Sequence, residues 1–198
     1  MEHEHPMNDA NPRIHPRKLI GYGVILGLGM VLAGWAWVGG VQGRGLSEWF
    51  PLARWRSDLA LGALAGAGAA LAAWVLHDRV PAFRRIARML CAVLDMDALR
   101  YPHAVLFGLI AGIPEEILFR GALQPTLGIV PASILFGALH ALTPAYFIYA
   151  TLAGMLLGGL ADWRDGLWAP IAAHVVIDTV TFVLLIRRWR AEFEISQQ

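Results

Sequence analysis

The segment "LIGYGVILGLGMVLAGWAWVGGV", Leu19 to Val41, contains no charged side chain. A helix of this length rises about 34 Å at ~1.5 Å per residue, enough to cross the ~30 Å hydrocarbon core of a bilayer. The segment is too long for the apolar core of a signal peptide, and no clear cleavage site follows it. It therefore predicts a membrane-spanning helix that stays in the mature protein.

The remaining chain has the same apolar character. Of its 198 residues, 57% are hydrophobic and only 16% are charged, and the mean hydropathy is +0.53. A soluble domain usually carries about 25% charged residues. We therefore predict an all-α polytopic membrane helix bundle of about six spans, in which the fourth and fifth are short and tilted or partly enclosed by protein. The five spans after the first are Asp58–Leu76, Pro102–Leu123, Gly128–Leu142, Ala145–Ala161 and Leu167–Ile186.

Two features of the first hundred residues suggest how the bundle is arranged. The span Asp58–Leu76 is rich in Ala and Gly, which favours close helix packing inside the bundle. The segment Arg79–Leu90 places Phe83, Ala87 and Leu90 on one helical face, away from its arginines. It is either an interfacial amphipathic helix or a basic loop that sets the topology.

These patterns divide the chain into four parts: a polar N-terminal tail (1–18), accessory spans with the interfacial helix (19–100), a helix bundle (101–187) and a polar C-terminal tail (188–198). Basic residues lie mainly in the N-terminal tail, around residues 79–100 and near the C-terminus. This distribution predicts that both termini face the cytoplasm, in the inner membrane of a bacterium. The basic residues flank apolar spans and form no face of their own, so nucleic-acid binding is not expected.

Ionisable residues inside the later spans are the most informative feature of the chain. Glu116 and Arg120 are four residues apart, the spacing of a pair on one helical face, with the glutamate on the favourable N-terminal side. Glu115 is rotated by about 100° from Glu116, since a helix has 3.6 residues per turn. We expect Arg120 to neutralise Glu116 and Glu115 to face a cavity. The helical rule also puts His174 and Asp178 on one face.

Three of these groups lie at matching depth. Counted from the outer ends of their spans, Glu115, His140 and His174 are each roughly 10–18 Å deep. They form either a structural polar clamp, a proton or ion pathway, or a catalytic centre, and intramembrane ionisable residues are functional by default. A carboxylate and an imidazole can activate water, while a second imidazole stabilises an oxyanion. No serine or cysteine in these motifs offers a nucleophile, and the single cysteine, Cys91, excludes an intramolecular disulfide.

Three motifs in order carry a family resemblance: "EEILFR" (115–120), "FGALH" (136–140) and "HVVID" (174–178). They closely resemble the CPBP family of intramembrane proteases, which includes CAAX prenyl endopeptidases and the bacteriocin-processing Abi group. The resemblance covers about Ala104 to Leu184. It implies an endopeptidase that acts on a membrane-associated peptide or protein within the lipid bilayer.

The resemblance also implies roles for individual residues. Glu115 corresponds to the catalytic carboxylate, and His140 to its partner on the attacking water. His174 and Asp178 correspond to the oxyanion-stabilising or ligand pair. The supporting residues are Glu116, Arg120 and Phe136. Where this chain has Asp178 the family also allows Asn, and Asp donates a hydrogen bond only when it is protonated.

Two alternatives stay open at this point. A metal-free reaction, which we favour, needs no cofactor. A zinc-dependent version would use Glu115, His140 and His174 as ligands, although the sequence lacks the H-E-x-x-H pattern of common zinc proteases. The alternative from another class is a non-enzymatic immunity or scaffold module that binds a peptide in the same cavity.

Overall fold

The backbone is almost wholly helical between residues 13 and 196, the part of the chain that the computed structural model describes. No β-strand occurs within these residues, and one isolated bridge pairs Ile14 with Leu94. The all-α prediction is therefore confirmed. The α-helices are α1 (Pro16–Trp37), α2 (Trp55–Arg79), α3 (Pro81–Val93), α4 (Tyr101–Glu116), α5 (Gln124–Leu127), α6 (Ile129–Leu139), α7 (Pro144–Arg164) and α8 (Trp168–Ser196).

Five helical segments of the described chain are long and apolar enough to cross a membrane. Large apolar side chains cover their outer faces, with Leu26 on α1, Leu64 on α2 and Leu152 on α7 each at least 60% exposed. An exposed apolar surface of this extent is rare on soluble monomers. It indicates that lipid tails cover these helices. The protein is an integral membrane protein. The five segments are Pro16–Gln42, Trp55–His77, Tyr101–Leu127, Pro144–Arg164 and Trp168–Ala191.

The fourth predicted span, Gly128–Leu142, is shorter than the others. It forms α6, a helix of 11 residues, which rises about 16 Å and covers half of the ~30 Å bilayer core. Gly128 precedes the helix with a φ of 89°, in the region that favours glycine. At the other end Thr143 caps α7 by accepting a hydrogen bond from the Tyr146 N–H. The short helix brings its C-cap residue, His140, to the C-terminal end of α4, beside Glu115.

Glycines allow the first two spans to pack closely against the later helices. A Cβ at Gly27 of α1 would lie 2.9 Å from the ring of Pro114 in α4. Gly62 and Gly66 of α2 would meet the backbone of α8 in the same way. The predicted close packing of α2 is present, but only one face of the helix makes it, and most of α2 is exposed. Residues 19–100 thus pack onto the rest of the bundle along α4 and α8.

The basic segment Arg79–Leu90 is a helix rather than a loop. Val80 is extended, and Pro81 starts α3 at a position where its missing N–H costs nothing. The arginine side chains at 84, 85 and 88 are exposed, while Phe83 and Leu90 line a cavity toward the bundle. The predicted amphipathic helix is therefore present.

Both predicted tails have different bounds in the structure. Helix α1 begins at Pro16, inside the segment 1–18 predicted as a polar tail; residues 1–12 lie outside the described part of the chain. The expected C-terminal tail, 188–198, is helical as far as Ser196, because α8 continues beyond its apolar part. Polar residues can extend a membrane helix into water, so hydropathy alone placed this boundary too early.

Candidate active site

All seven predicted site residues come together between α4, α6 and α8. Glu115 and Glu116 end α4, and Arg120 follows in a π-helical segment, Ile117–Leu123. Phe136 and His140 lie near the end of α6, and His174 and Asp178 face inward from α8. Three separate helices are needed to bring these groups together.

The π-helical segment gives the glutamate region its shape. Pro114 lies inside α4 and cannot donate the backbone hydrogen bond expected at that position. The seven residues from Ile117 to Leu123 form a π-helical segment with i to i+5 hydrogen bonds, a wider turn that is frequent at functional sites. Gln124 then holds this segment against α7, since its Nε2 donates to the Gly158 carbonyl at 3.0 Å and to Asp162 Oδ1 at 2.6 Å.

The ion pair predicted from the sequence is present and fully buried. Arg120 Nη1 lies 3.1 Å from Glu116 Oε1, and the two side chains are 2% and 0% exposed. Arg120 Nη2 also donates to the Gly154 carbonyl at 3.2 Å, and the guanidinium lies 4.5 Å from the centre of the Phe136 ring. Phe136 thus supports the pair through a cation–π contact as well as carrying the helical turn that leads to His140.

His174 is oriented by Glu116, an interaction that the sequence did not indicate. His174 Nδ1 lies 2.7 Å from Glu116 Oε1, and since a carboxylate only accepts, the ring N–H is the donor. The opposite nitrogen, Nε2, lies 3.7 Å from Asp178 Oδ2 and 3.9 Å from Glu115 Oε2. The two adjacent glutamates therefore approach opposite edges of one imidazole. This agrees with the ~100° rotation between them.

Glu115 occupies the position from which a carboxylate can act on a ligand. Its Oε2 lies 3.7 Å from His140 Nε2, and within the described chain this buried oxygen accepts no hydrogen bond. His140 is fixed from its other side, because its Nδ1 lies 2.8 Å from the Phe136 carbonyl oxygen, to which it donates. Nε2 is then the nitrogen that faces Glu115.

Two cavities border this cluster and share Asp178 as a lining residue. One, of about 190 Å³, lies between α1, α4 and α8 and is lined by Glu115 and Asp178 among apolar residues. The other, of about 160 Å³, lies between α2, α3, α7 and α8 and is lined by Asp178, Tyr146 and Tyr149. Asp178 belongs to both walls. A ligand can thus approach the cluster from either side of α8.

The possible metal ligands do not form a ready site. Residues 13–196 contain no group of three or more His, Cys, Asp or Glu side chains arranged to hold a metal ion. In the set Glu115, His140 and His174, the Glu115 Oε2 atom lies 3.7 Å from His140 Nε2 and 3.9 Å from His174 Nε2.

Sequence reasoning missed Tyr146, which lies beside the cluster. Its ring stands edge-on to the His140 ring, with centroids 6.1 Å apart and an angle of 87° between the planes. The residue lies outside all three motifs, and a tyrosine in the first turn of an apolar helix is ordinary at a membrane interface. Only its position three residues after Thr143, which caps α7, and six residues after His140 could have drawn attention to it.

Comparisons with known proteins concern the part of the chain that carries these residues. Residues 98–180 match the family model described as type II CAAX prenyl endopeptidase Rce1-like, and the match contains all three motifs. The resemblance to the CPBP family is therefore confirmed. The uncharacterized protein YpbD of Bacillus subtilis (strain 168) is 39% identical over 82 residues, which are 40% of this chain and 43% of the relative. The chain thus matches less than half of that relative's length. No solved structure matches the chain.

Proposed function

Residues 98–180 carry an Rce1-like sequence, and from this premise we propose that the protein is an intramembrane endopeptidase. Its substrate is a membrane-associated peptide or protein, and its reaction is the hydrolysis of a peptide bond by water. The observation that carries the proposal is the position of Glu115 Oε2, which lies within 3.9 Å of one ring nitrogen of both His140 and His174.

The geometry suits water activation by a carboxylate. Separations of 3.7 to 3.9 Å are too long for direct hydrogen bonds, so the Glu115 oxygen and the two ring nitrogens are available to bind the same water. A water held there can lose its proton to Glu115 while its oxygen attacks the carbonyl carbon of the substrate. The carbonyl becomes an oxyanion, and when the C–N bond breaks, the leaving amine takes the proton from Glu115.

The remaining residues prepare the site for this step. Glu116 holds the His174 ring by one nitrogen, so the other nitrogen keeps a fixed direction toward the reaction space. Arg120 keeps Glu116 in place and compensates its charge where both side chains are buried. We propose that His174 and Asp178 stabilise the developing oxyanion, as the family resemblance implies.

Purified protein in lipid nanodiscs tests the proposed function. Cleavage of a membrane-anchored peptide is measured by mass spectrometry, with and without a chelator and with added zinc. We expect cleavage that survives the chelator. Activity that disappears with the chelator and returns with zinc would support the zinc version instead. Peptide binding without any cleavage would support the non-enzymatic module.

We further propose that the protein lies in a bacterial inner membrane with both termini in the cytoplasm. The arginines of α3 and those at the end of α8 then face the cytoplasmic side. In a Cys91→Ser background, single cysteines at Glu2 and Gln198, both outside the described residues, should resist an impermeant thiol reagent applied to whole cells. A cysteine at Ser47, in the exposed loop after α1, should react. Outside labelling of either terminus would overturn the proposed orientation.

Asp178→Asn should retain much of the activity and extend it to higher pH. Asp178 donates a hydrogen bond only when protonated, so its contribution is present at low pH and lost as the carboxylate forms; an amide donates at every pH. The parent and the variant are compared by pH–rate profiles, each with and without chelator. Loss of activity by the variant over the whole pH range would exclude the neutral-donor role and favour a carboxylate that orients His174 or binds metal.

A further inference from the structure

We propose that Tyr146 is a further catalytic residue, whose phenolic hydroxyl donates a hydrogen bond to the oxyanion formed during peptide hydrolysis. This inference rests on the endopeptidase function proposed above. It extends the site beyond the three sequence motifs to α7, a helix that contributes no predicted catalytic group.

The position of the Tyr146 ring is well determined by its neighbours. Thr143 caps α7 and fixes the first turn, from which Tyr146 projects. The ring stands edge-on to His140 and stacks on Tyr149, with centroids 6.3 Å apart and planes 14° apart. Tyr149 in turn packs edge-to-face against Phe83 of α3, at 5.6 Å. A ring held on these sides keeps its hydroxyl in one direction.

The hydroxyl is available to a ligand. Tyr146 lines the same cavity as Asp178, and its ring stands edge-on to His140, which faces Glu115. In the described part of the chain its hydroxyl makes no hydrogen bond, since only the Tyr146 backbone N–H does. The residue is half-buried in the cavity wall, so its hydroxyl can donate to a group that arrives with the substrate.

Tyr146 and Glu115 lie on the walls of two different cavities that share Asp178. Glu115 lines the cavity between α1, α4 and α8, Tyr146 lines the other one, and Asp178 lines both. A substrate carbonyl placed beside Asp178 has the proton acceptor on one side and the phenol on the other. Attack by water then moves the carbonyl π electrons onto oxygen in the direction of the phenol. The phenol keeps its proton throughout and only donates a hydrogen bond.

Neither His174 nor Asp178 supplies a neutral hydrogen-bond donor to the oxyanion at every pH. His174 uses Nδ1 to bind Glu116, and Asp178 donates only when protonated. A tyrosine hydroxyl remains protonated up to high pH and can donate whichever form Asp178 takes. Oxyanion donors act most strongly when they are held in place before the reaction, as the Tyr146 ring is by its neighbours.

The test replaces Tyr146 with Phe and uses Tyr149→Phe as the matched control. Both changes remove one hydroxyl from the same cavity wall and keep the ring contacts. We expect kcat to fall about 10²- to 10³-fold for Tyr146→Phe with KM nearly unchanged, which is the usual effect of losing one oxyanion donor. Tyr149→Phe should retain turnover close to that of the parent.

A second measurement separates this role from a structural one. Binding of a peptide phosphonate, an anionic mimic of the tetrahedral intermediate, should weaken about 10- to 100-fold in Tyr146→Phe. Binding of the uncleaved substrate peptide to a Glu115→Gln background should not change. Turnover of Tyr146→Phe within about twofold of the parent, or equal losses in both tyrosine variants, would overturn the inference while leaving the protease function in place. A parent protein that cleaves no peptide would overturn both.

Discussion

The Glu115→Gln protein is expected to fold normally and to cleave no peptide above the detection limit. Glutamine keeps the shape of the side chain but cannot accept the proton of the attacking water. General-base catalysis contributes about 10²- to 10⁴-fold to a rate. Among the described residues, only Glu115 has a carboxylate oxygen within 4 Å of a ring nitrogen of both His140 and His174. Initial rates of peptide cleavage in nanodiscs measure the effect.

A matched control separates this effect from a general one. Glu48→Gln makes the same chemical change at a glutamate whose side chain is 57% exposed, outside the cluster. It should leave the rate unchanged. His140→Ala should lower the cleavage rate as much as Glu115→Gln does, since it removes the imidazole whose Nε2 lies 3.7 Å from Glu115 Oε2. Near-parent turnover by folded Glu115→Gln protein would remove the general-base assignment.

Single replacement of Glu116 or Arg120 by Ala should lower the free energy of unfolding by about 3–5 kcal/mol. Each change leaves the partner charge buried without compensation, in a pair whose side chains are at most 2% exposed. The double replacement should cost less than the sum of the two single changes, because it leaves no unpaired charge of the pair. Thermal melts of the four proteins in one detergent give the coupling.

The surface pair Arg44 and Glu48 provides the control for this cycle. It has the same spacing of four residues, but its atoms lie 3.9 Å apart and both side chains are more than half exposed. The same replacements there should change stability by only about 0–1 kcal/mol and couple weakly. Additive effects in the buried cycle would argue against a direct interaction between Glu116 and Arg120.

Glu116→Ala should in addition affect catalysis in the protein that still folds. The change removes the acceptor that holds His174 Nδ1 at 2.7 Å, and the ring then loses its fixed direction. We expect a lower kcat from the folded fraction than Arg120→Ala gives. The comparison tests whether Glu116 positions His174 as well as neutralising Arg120.

The sequence by itself determined the class of structure and most of the site. Uncharged apolar segments as long as Leu19–Val41 leave a helix as the only way to satisfy the backbone in lipid, so hydropathy was sufficient for the fold class. The pair Glu116 and Arg120 followed from helical spacing, because residues four apart share a face whatever the rest of the protein does. The three motifs then carried the resemblance to the CPBP family and pointed to the residues of the cluster.

Only the tertiary structure decided how these residues act on one another. The partner of His174 is Glu116 on α4, 58 positions away, and no local periodicity reports which helices are neighbours. The π-helical turn after Glu116 and the short helix before His140 depend on packing against α7 and α8, which the pattern of apolar residues does not specify. Tyr146 entered the site for the same reason. It lines the same cavity as Asp178 because of how α7 and α8 meet, and contacts between helices distant in sequence are made by the folded chain alone.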